Sequence, residues 1–528
     1  MKRKILLALG LALALTLCVS AALAAGVAKI GTTEYATIDA AIDAANAGDT
    51  IVLLDDVKAT KTFYKSLTFT GGHKLSMDCY GWRYSGDLVF DGADFVINTD
   101  AASPVANNGE AGKWFTMVLS GSITAKNNAN VKFSFDSACG TNCAIYAGAR
   151  GVRINVEKAS SFIIFGKNTR GVSGQGIQLD STANTGIFVT GGSQFLIEGT
   201  NRGYVNSPEI YVEDSTFTVQ YCTANGSNGG KFTAVNSKIN YMYNRGHGLS
   251  ATILDISKGS VLNCTGNGYY GVTVSSMVTM DGTSSLTANE NGWGYTGGGF
   301  RLASSQGKGN FAAGGTVTVC SNERNGVENY GALTFADGVK MTVTGNYEPN
   351  NGGGIYNGPA GVLTLPANAV VMRNEAGLNG GGICNKGELV APASVKLYNN
   401  HAGTAGDDIW SNNAITFGRT GEGWKLDGLP DCYGEIHAID GWYEDGENAQ
   451  GLRWNADALA EADRYIHWYD CGTYQDATIA LKAAHDVIPE PVTPPQSGDN
   501  SKPLMWLCML LACAACLTVL RVSRKRHA

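Results

Sequence analysis

Three stretches decide how this chain folds: NGVENYGALTF (Asn325–Phe335), GGGIYNGPAGVLTL (Gly352–Leu365) and GGGICNKGELV (Gly380–Val390). They repeat one phrase, and the aliphatic residues Val327, Ile355 and Ile383 recur at a step of 28 residues both times. Looser copies set Leu249, Val272 and Phe300 before them and Ile409 after; the added steps are 23, 28, 27 and 26 residues. A fixed period of this size marks a solenoid. The unit is rich in Gly, Asn, Val and Thr and lacks the apolar spacing of a helix, so each repeat reads as a coil of short strands separated by turns. The expected fold is all-β, a parallel β-helix solenoid over residues 51–413, of roughly 15 coils rising ~4.8 Å each. Val327, Ile355, Ile383 and Ile409 should share one inward ladder, with Phe300 and Val272 above them.

Asparagine recurs before the glycine clusters, at Asn289, Asn322, Asn346, Asn374 and Asn400. Its short amide tolerates left-handed backbone and can bond along a stack of coils, so these residues are expected to be structural. Ahead of the first coil, YATIDAAIDAANA (Tyr35–Ala47) has Ile38, Ala41, Ile42 and Ala45 at helical spacing, with Thr37 as N-cap and Gly48 as C-cap. A helix there would cover the open edge and apolar bore of the first coil, making residues 25–50 an N-terminal helical cap. Past Ala414 the glycine phrase stops and Trp424, Trp442, Trp454 and Trp468 cluster. Residues 414–488 therefore read as a small C-terminal module, with Ala456–Ala462 and Ala477–His485 expected to be helical.

Both ends carry targeting signals. Lys2, Arg3 and Lys4 precede an apolar run that closes on Ala22-Leu23-Ala24, so residues 1–24 read as a secretory signal peptide. Residues 489–503 form a Pro-rich linker, residues 504–520 an uncharged segment just long enough to span a membrane, and residues 521–528 a basic cytoplasmic tail. Net charge is −7; removing the +3 of the signal and the +4 after Ser497 leaves −14. So acidic a surface argues against nucleic acid as a partner. Thirteen cysteines become nine once Cys18, Cys508, Cys513 and Cys516 are set aside, an odd number. Most sit in strand-like runs as small apolar filler; Cys139 with Cys143 and Cys432 with Cys471 are the pairs to test as disulfides.

The repeat style resembles the right-handed parallel β-helix of the pectate-lyase-like superfamily, which includes polysaccharide lyases, polygalacturonases and surface adhesins. The resemblance implies fold more than activity. Polygalacturonases combine an aspartate cluster, a Gly-His-Gly motif and an Arg-any-Lys motif. Asn98-Thr99-Asp100, Gly246-His247-Gly248 and Asp407-Asp408 echo single pieces, out of order and far apart, so no catalytic set is expected. Lyases of the superfamily hold Ca²⁺ on carboxylates; Asp87, Asp91 and Asp94 lie close in sequence and could supply oxygen ligands, although solvated turn residues are the plainer reading. Pro494-Pro495-Gln496-Ser497-Gly498 resembles the sorting signal of Gram-positive surface proteins, with Pro494 in place of Leu and Ser497 in place of Thr. The resemblance implies a sortase acting at Pro495, Gln496, Ser497 and Gly498, with peptidoglycan as the acceptor. Without that step the tail is a plain membrane anchor.

Trp293 and Tyr295 in NENGWGYTGGG, and Tyr269 and Tyr270 in GNGYYG, are the candidate ligand-stacking residues, against the alternative that they fill grooves. The expected function is a cell-surface protein, anchored to wall or membrane, whose solenoid binds a glycan or protein ligand in adhesion. The alternative is an anchored polysaccharide lyase or glycoside hydrolase. The two differ in whether acidic, basic and imidazole side chains converge on one groove across adjacent coils.

Overall fold

A computed structural model describes residues 26–411, apart from 80, 100–102, 104–114, 137–142, 168–173, 180–183, 207–208, 295, 393–394, 399 and 405–407. Beyond 411 it describes the strands Ile415–Phe417, Trp424–Lys425, Arg464–Trp468 and Ala477–Leu481. The proposed signal, linker, apolar segment and basic tail lie outside the described residues, as do Cys432, Cys471 and Ala456–Ala462. Among the described residues no helix is long and apolar enough to cross a membrane.

The protein is a stack of parallel strands. One sheet of fourteen strands runs from Val57–Lys58 to Lys396–Tyr398 in unbroken chain order. The repeat phrase predicted this stacking correctly. Leu249, Val272, Phe300, Val327, Ile355, Ile383 and Ile409 are direct partners in successive parallel pairs. All seven are buried in the core. In the fourteen-strand sheet alternate residues point inward, as the period of two requires. There Phe162, Phe195 and Phe217 stack ring on ring at 5.2 and 5.1 Å between centroids.

An asparagine ladder fixes the register. Asn244, Asn267, Asn291, Asn322, Asn346, Asn374 and Asn400 are all buried. Along this series each side-chain amide donates to the next Oδ1, at 2.7–3.0 Å. Each backbone N–H donates to the same oxygen, at 2.9–3.2 Å. Asp408 ends the ladder by accepting from Asn400 Nδ2 at 2.9 Å. Asn289 stands outside this ladder: it lies two residues before it, in the outward register of its strand, and accepts from the Cys320 N–H of the neighbouring strand, while Asn291 takes the buried place. The ladder also explains the glycine before each aliphatic residue. A Cβ on Gly354 would sit 2.5 Å from Gly382 O and 2.8 Å from Asn374 Nδ2, too close for any side chain.

At the N-terminal end the helix Ile38–Ala44 forms as expected, with Thr37 Oγ1 accepting from Ala40 N, and Ile38, Ala41 and Ile42 joining the core of the strands. Its C-cap is Ala45 rather than Gly48. The Lys65 ammonium donates to the carbonyls of Ile42, Asp43 and Ala45, meeting the negative end of the helix. An antiparallel hairpin, Ala28–Ile30 with Thr33–Tyr35, precedes the helix, and its first strand pairs with Thr50–Leu53. At the other end Ala477–Leu481 is a strand and not a helix: it pairs antiparallel with Ile409–Ser411 and with Arg464–Trp468. Pairing with the exposed edge of Ile409–Ser411 overrides the local alanine content.

Cys79, Cys143, Cys222, Cys264 and Cys384 are buried free thiols, so Cys143 is not bonded to Cys139.

Replacing Asn346 with Ala leaves the Asn322 N–H and amide, Val319 O and Asn374 Oδ1 without this partner. The expected loss is at least about 2 kcal/mol, read from chemical denaturation. Asn289→Ala, outside the ladder, should cost under about 1 kcal/mol. Equal losses for the two variants would overturn the assignment of Asn291 over Asn289.

Candidate functional site

The phrase that sets the core also sets an outward line. One residue past each ladder aliphatic, the side chain faces away from the core, and strand pairing puts Thr273, Arg301, Glu328, Tyr356, Cys384 and Trp410 in direct register. The turns entering and leaving these strands add His247, Tyr269, Tyr270, Tyr330 and Lys386.

These side chains form two connected groups. In the first, the Glu328 carboxylate is almost fully buried. Its Oε2 accepts from the Tyr270 hydroxyl and its Oε1 accepts from the Tyr330 hydroxyl at 2.6 Å. Arg301 Nε lies 3.2 Å from Oε2 as an ion pair that lacks hydrogen-bond alignment. The guanidinium also sits between two rings, 5.1 Å from the centroid of Tyr270 and 5.4 Å from that of Tyr330. On the far side of Tyr270, His247 stacks nearly parallel at 5.8 Å and meets Tyr269 edge-on at 5.3 Å. The second group continues the line. Tyr330 meets Tyr356 at 6.0 Å, and Lys386 Nζ lies 5.7 Å from the Tyr356 ring and 6.0 Å from the Trp410 ring. Rings and cations thus run in contact from His247 to Trp410.

Electrostatics follow from burial. Burial, reinforced by the neighbouring Glu328 charge, pushes the hydroxyls of Tyr270 and Tyr330 upward, so both stay protonated donors. Burial first, and Arg301 second, push the His247 imidazole down to about 4, so it is neutral at physiological pH. His247 Nδ1 and Arg301 Nε are both buried with no hydrogen-bond partner. Buried polar atoms in that state are uncommon, and two in one cluster set this face apart from the rest of the described surface.

The candidate stacking residues divide. Tyr269 and Tyr270 belong to this cluster. Trp293 does not: it is half exposed, and its indole N–H donates to Gly266 O at 3.0 Å, at the opposite end of the turn that holds the two tyrosines. Tyr295 lies outside the described residues. Gly246-His247-Gly248 enters the site through His247, while Asn98 lies on Asp94–Thr99, five strands before Lys238–Met242 in the fourteen-strand sheet, and bonds Asp78. The three aspartates considered for calcium hold coil to coil instead. Asp87 accepts from Ser122 N, Asp91 from the Asn127 amide, and Asp94 from the backbone and side chain of Asn130. Among the described residues no group of three or more His, Cys, Asp or Glu could hold a metal ion. Arg301, Glu328, Tyr330, Tyr356, Lys386 and Trp410 were not singled out from sequence. The available signal was the residue following each aliphatic of the repeat phrase.

A groove of about 460 Å³ lies over neighbouring strands, lined in part by Asp255, Thr279, Asn310 and Thr334. The Thr279 hydroxyl donates to Asp255, and Asp281 at its rim accepts from Lys258 N, Thr283 and Ser284. Its carboxylates are committed to structure, so the aromatic line is the better candidate.

The low affinity of His247 for a proton has a measurable consequence. An unfolded imidazole takes up its proton near pH 6.5, whereas the folded one waits until about 4. Stability from this group is therefore complete above pH 6.5 and is lost as pH falls toward 4. Thermal unfolding from pH 7 to pH 4 should show a shallower decline for His247→Gln than for the natural protein; parallel profiles would mean that His247 does not titrate differently on folding.

Compared with protein-family models, curated proteins and solved structures, the chain matches none.

Proposed function

We propose that this protein is an exported, surface-anchored binding protein whose solenoid holds a glycan or protein ligand along the line from His247 to Trp410. The observation that carries this reading is the line itself: five aromatic rings, an imidazole and two cations on one outward face. Rings in this setting bury apolar area at little entropic cost, and the Arg and Lys between them supply donors. In this reading the coils wind right-handed, the helix Ile38–Ala44 caps the first coil, residues 1–24 direct export, and a sortase or the span 504–520 attaches the chain to the bacterial surface.

A second reading, a polysaccharide lyase or glycoside hydrolase, draws support from the convergence of His247, Arg301 and Glu328 on one face over adjacent coils. The chemistry favours binding. Glycoside hydrolysis uses two facing carboxyl groups, and this cluster contributes Glu328, whose oxygens already accept from two tyrosines and pair with Arg301.

The test is a panel of bacterial and host glycans and surface proteins, assayed for binding and for cleavage. Arg301→Ala and Trp410→Ala should each weaken the ligand found by about tenfold, since a buried aromatic or charged contact is worth on the order of 1–2 kcal/mol. Cleavage lost in Glu328→Gln would favour the enzyme reading; unchanged affinity in both alanine variants would sink the binding face.

Attachment is tested separately. A sortase acting between Ser497 and Gly498 leaves a protein that resists detergent and is freed by cell-wall hydrolases, and Gly498→Pro should block the joining. Recovery by detergent with Ala528 still present would favour the membrane span.

A further inference from the structure

Three large aromatic side chains stand in the open at one corner of the solenoid, apart from the line described above. Tyr221, Tyr243 and Trp293 are 51%, 48% and 48% exposed. Tyr221 directly follows the strand Thr216–Gln220, and Tyr243 directly follows Lys238–Met242, the next strand of the fourteen-strand sheet. Their rings stack at 5.5 Å, 9° from parallel. Both residues lie in the left-handed backbone region, at φ 56° and 55°. The coils on either side use glycine there, Gly199 and Gly266, at φ 69° and 67°. Left-handed backbone is ordinary for glycine or asparagine and costly for tyrosine. Two adjacent coils thus place bulky rings in solvent at a corner whose left-handed backbone other coils carry on Gly199, Gly266, Gly345, Glu290, Ser321 or Arg373.

The glycines complete the arrangement. A Cβ at Gly266 would lie 2.5 Å from the Tyr243 ring, so glycine alone lets the ring lie over that coil. The carbonyl of Gly266 fixes the Trp293 indole. The sheet face beside the rings has an uncharged central line that offers hydrogen bonds, with Glu198, Lys238 and Lys340 on the lines flanking it. Thr218, Asn240, Asn263, Thr287, Thr318 and Thr342 stand in register along it. Asn240 Nδ2 donates to Thr218 Oγ1 at 3.1 Å, and Asn263 Nδ2 donates to Asn240 Oδ1 at 3.2 Å, which holds the line straight.

We infer that this corner is a binding site for neutral saccharide chains. Sugar rings stack their C–H faces on Tyr221, Tyr243 and Trp293, and their hydroxyls meet the uncharged Thr and Asn line. The chemistry selects this occupant. Three rings fall far short of the roughly 800 Å² per partner that a stable protein interface buries, and a continuous uncharged Thr and Asn line beside aromatics suits a ligand that is polyhydroxylated and neutral. The inference rests on the reading of the solenoid as a glycan-binding surface, but not on the His247–Trp410 line.

The purified full chain is titrated calorimetrically with neutral gluco-, xylo-, manno- and N-acetylglucosamine oligomers, with an oligogalacturonate as the charged comparison. Tyr221→Asn and Tyr243→Asn remove a ring while supplying a residue suited to the left-handed backbone. Each should weaken the preferred neutral oligomer by about tenfold and leave the thermal midpoint unchanged or raised. Tyr243→Phe, which keeps the ring face, should bind as the natural protein does, and Arg301→Ala should leave this binding intact. Absence of binding to every neutral oligomer, preference for the oligogalacturonate, undiminished affinity in the Asn variants, or a lowered midpoint in them would each overturn the inference. Loss on Arg301→Ala with no loss in the Asn variants would assign the same ligand to the His247–Trp410 line instead.

Discussion

The buried asparagine ladder from Asn244 to Asn400 is the constraint on which the rest of the structure depends. A parallel coil stack has backbone hydrogen bonds along the axis in any register, and a slip by one residue would turn every inward side chain to solvent. The ladder removes that freedom. Each Oδ1 takes both the backbone N–H and the side-chain amide of its neighbour in the stack, so a displaced coil would leave several buried polar groups unpaired at once. The glycines beside the ladder are a consequence, because the amide and the neighbouring carbonyl occupy the space of a Cβ. The aliphatic ladder that follows each glycine is then held in line.

The candidate site is built on the same repetition. Because register is fixed, whatever residue follows each aliphatic is delivered to one outward line, and variation there changes the surface without disturbing the core. Arg301, Glu328, Tyr356 and Trp410 are such variations. The corner after each strand of the fourteen-strand sheet works likewise: its left-handed backbone is carried by Gly199, Gly266 and Gly345 on some coils and by Tyr221, Tyr243 and Glu290 on others. Ends need other solutions. A hairpin and helix lie ahead of the first coil, and an antiparallel strand pairs with Ile409–Ser411.

The sequence by itself determined the all-β repeat, its period and the seven apolar residues of one core ladder, six aliphatic and Phe300. A chemical phrase repeated every coil can only satisfy the same local surroundings each time. It also identified four of the seven ladder asparagines, Asn322, Asn346, Asn374 and Asn400; Asn244, Asn267 and Asn291 were hidden, because which asparagine faces inward is settled by the turn that follows each strand. Tertiary structure alone decided the sites. Tyr270 and Glu328 are 58 residues apart in the chain yet share a hydrogen bond, and Tyr221 and Tyr243 come together because the solenoid returns to the same corner. The strand at Ala477–Leu481 was hidden for a related reason: its conformation is set by the edge it pairs with, and local propensity carries no record of that edge.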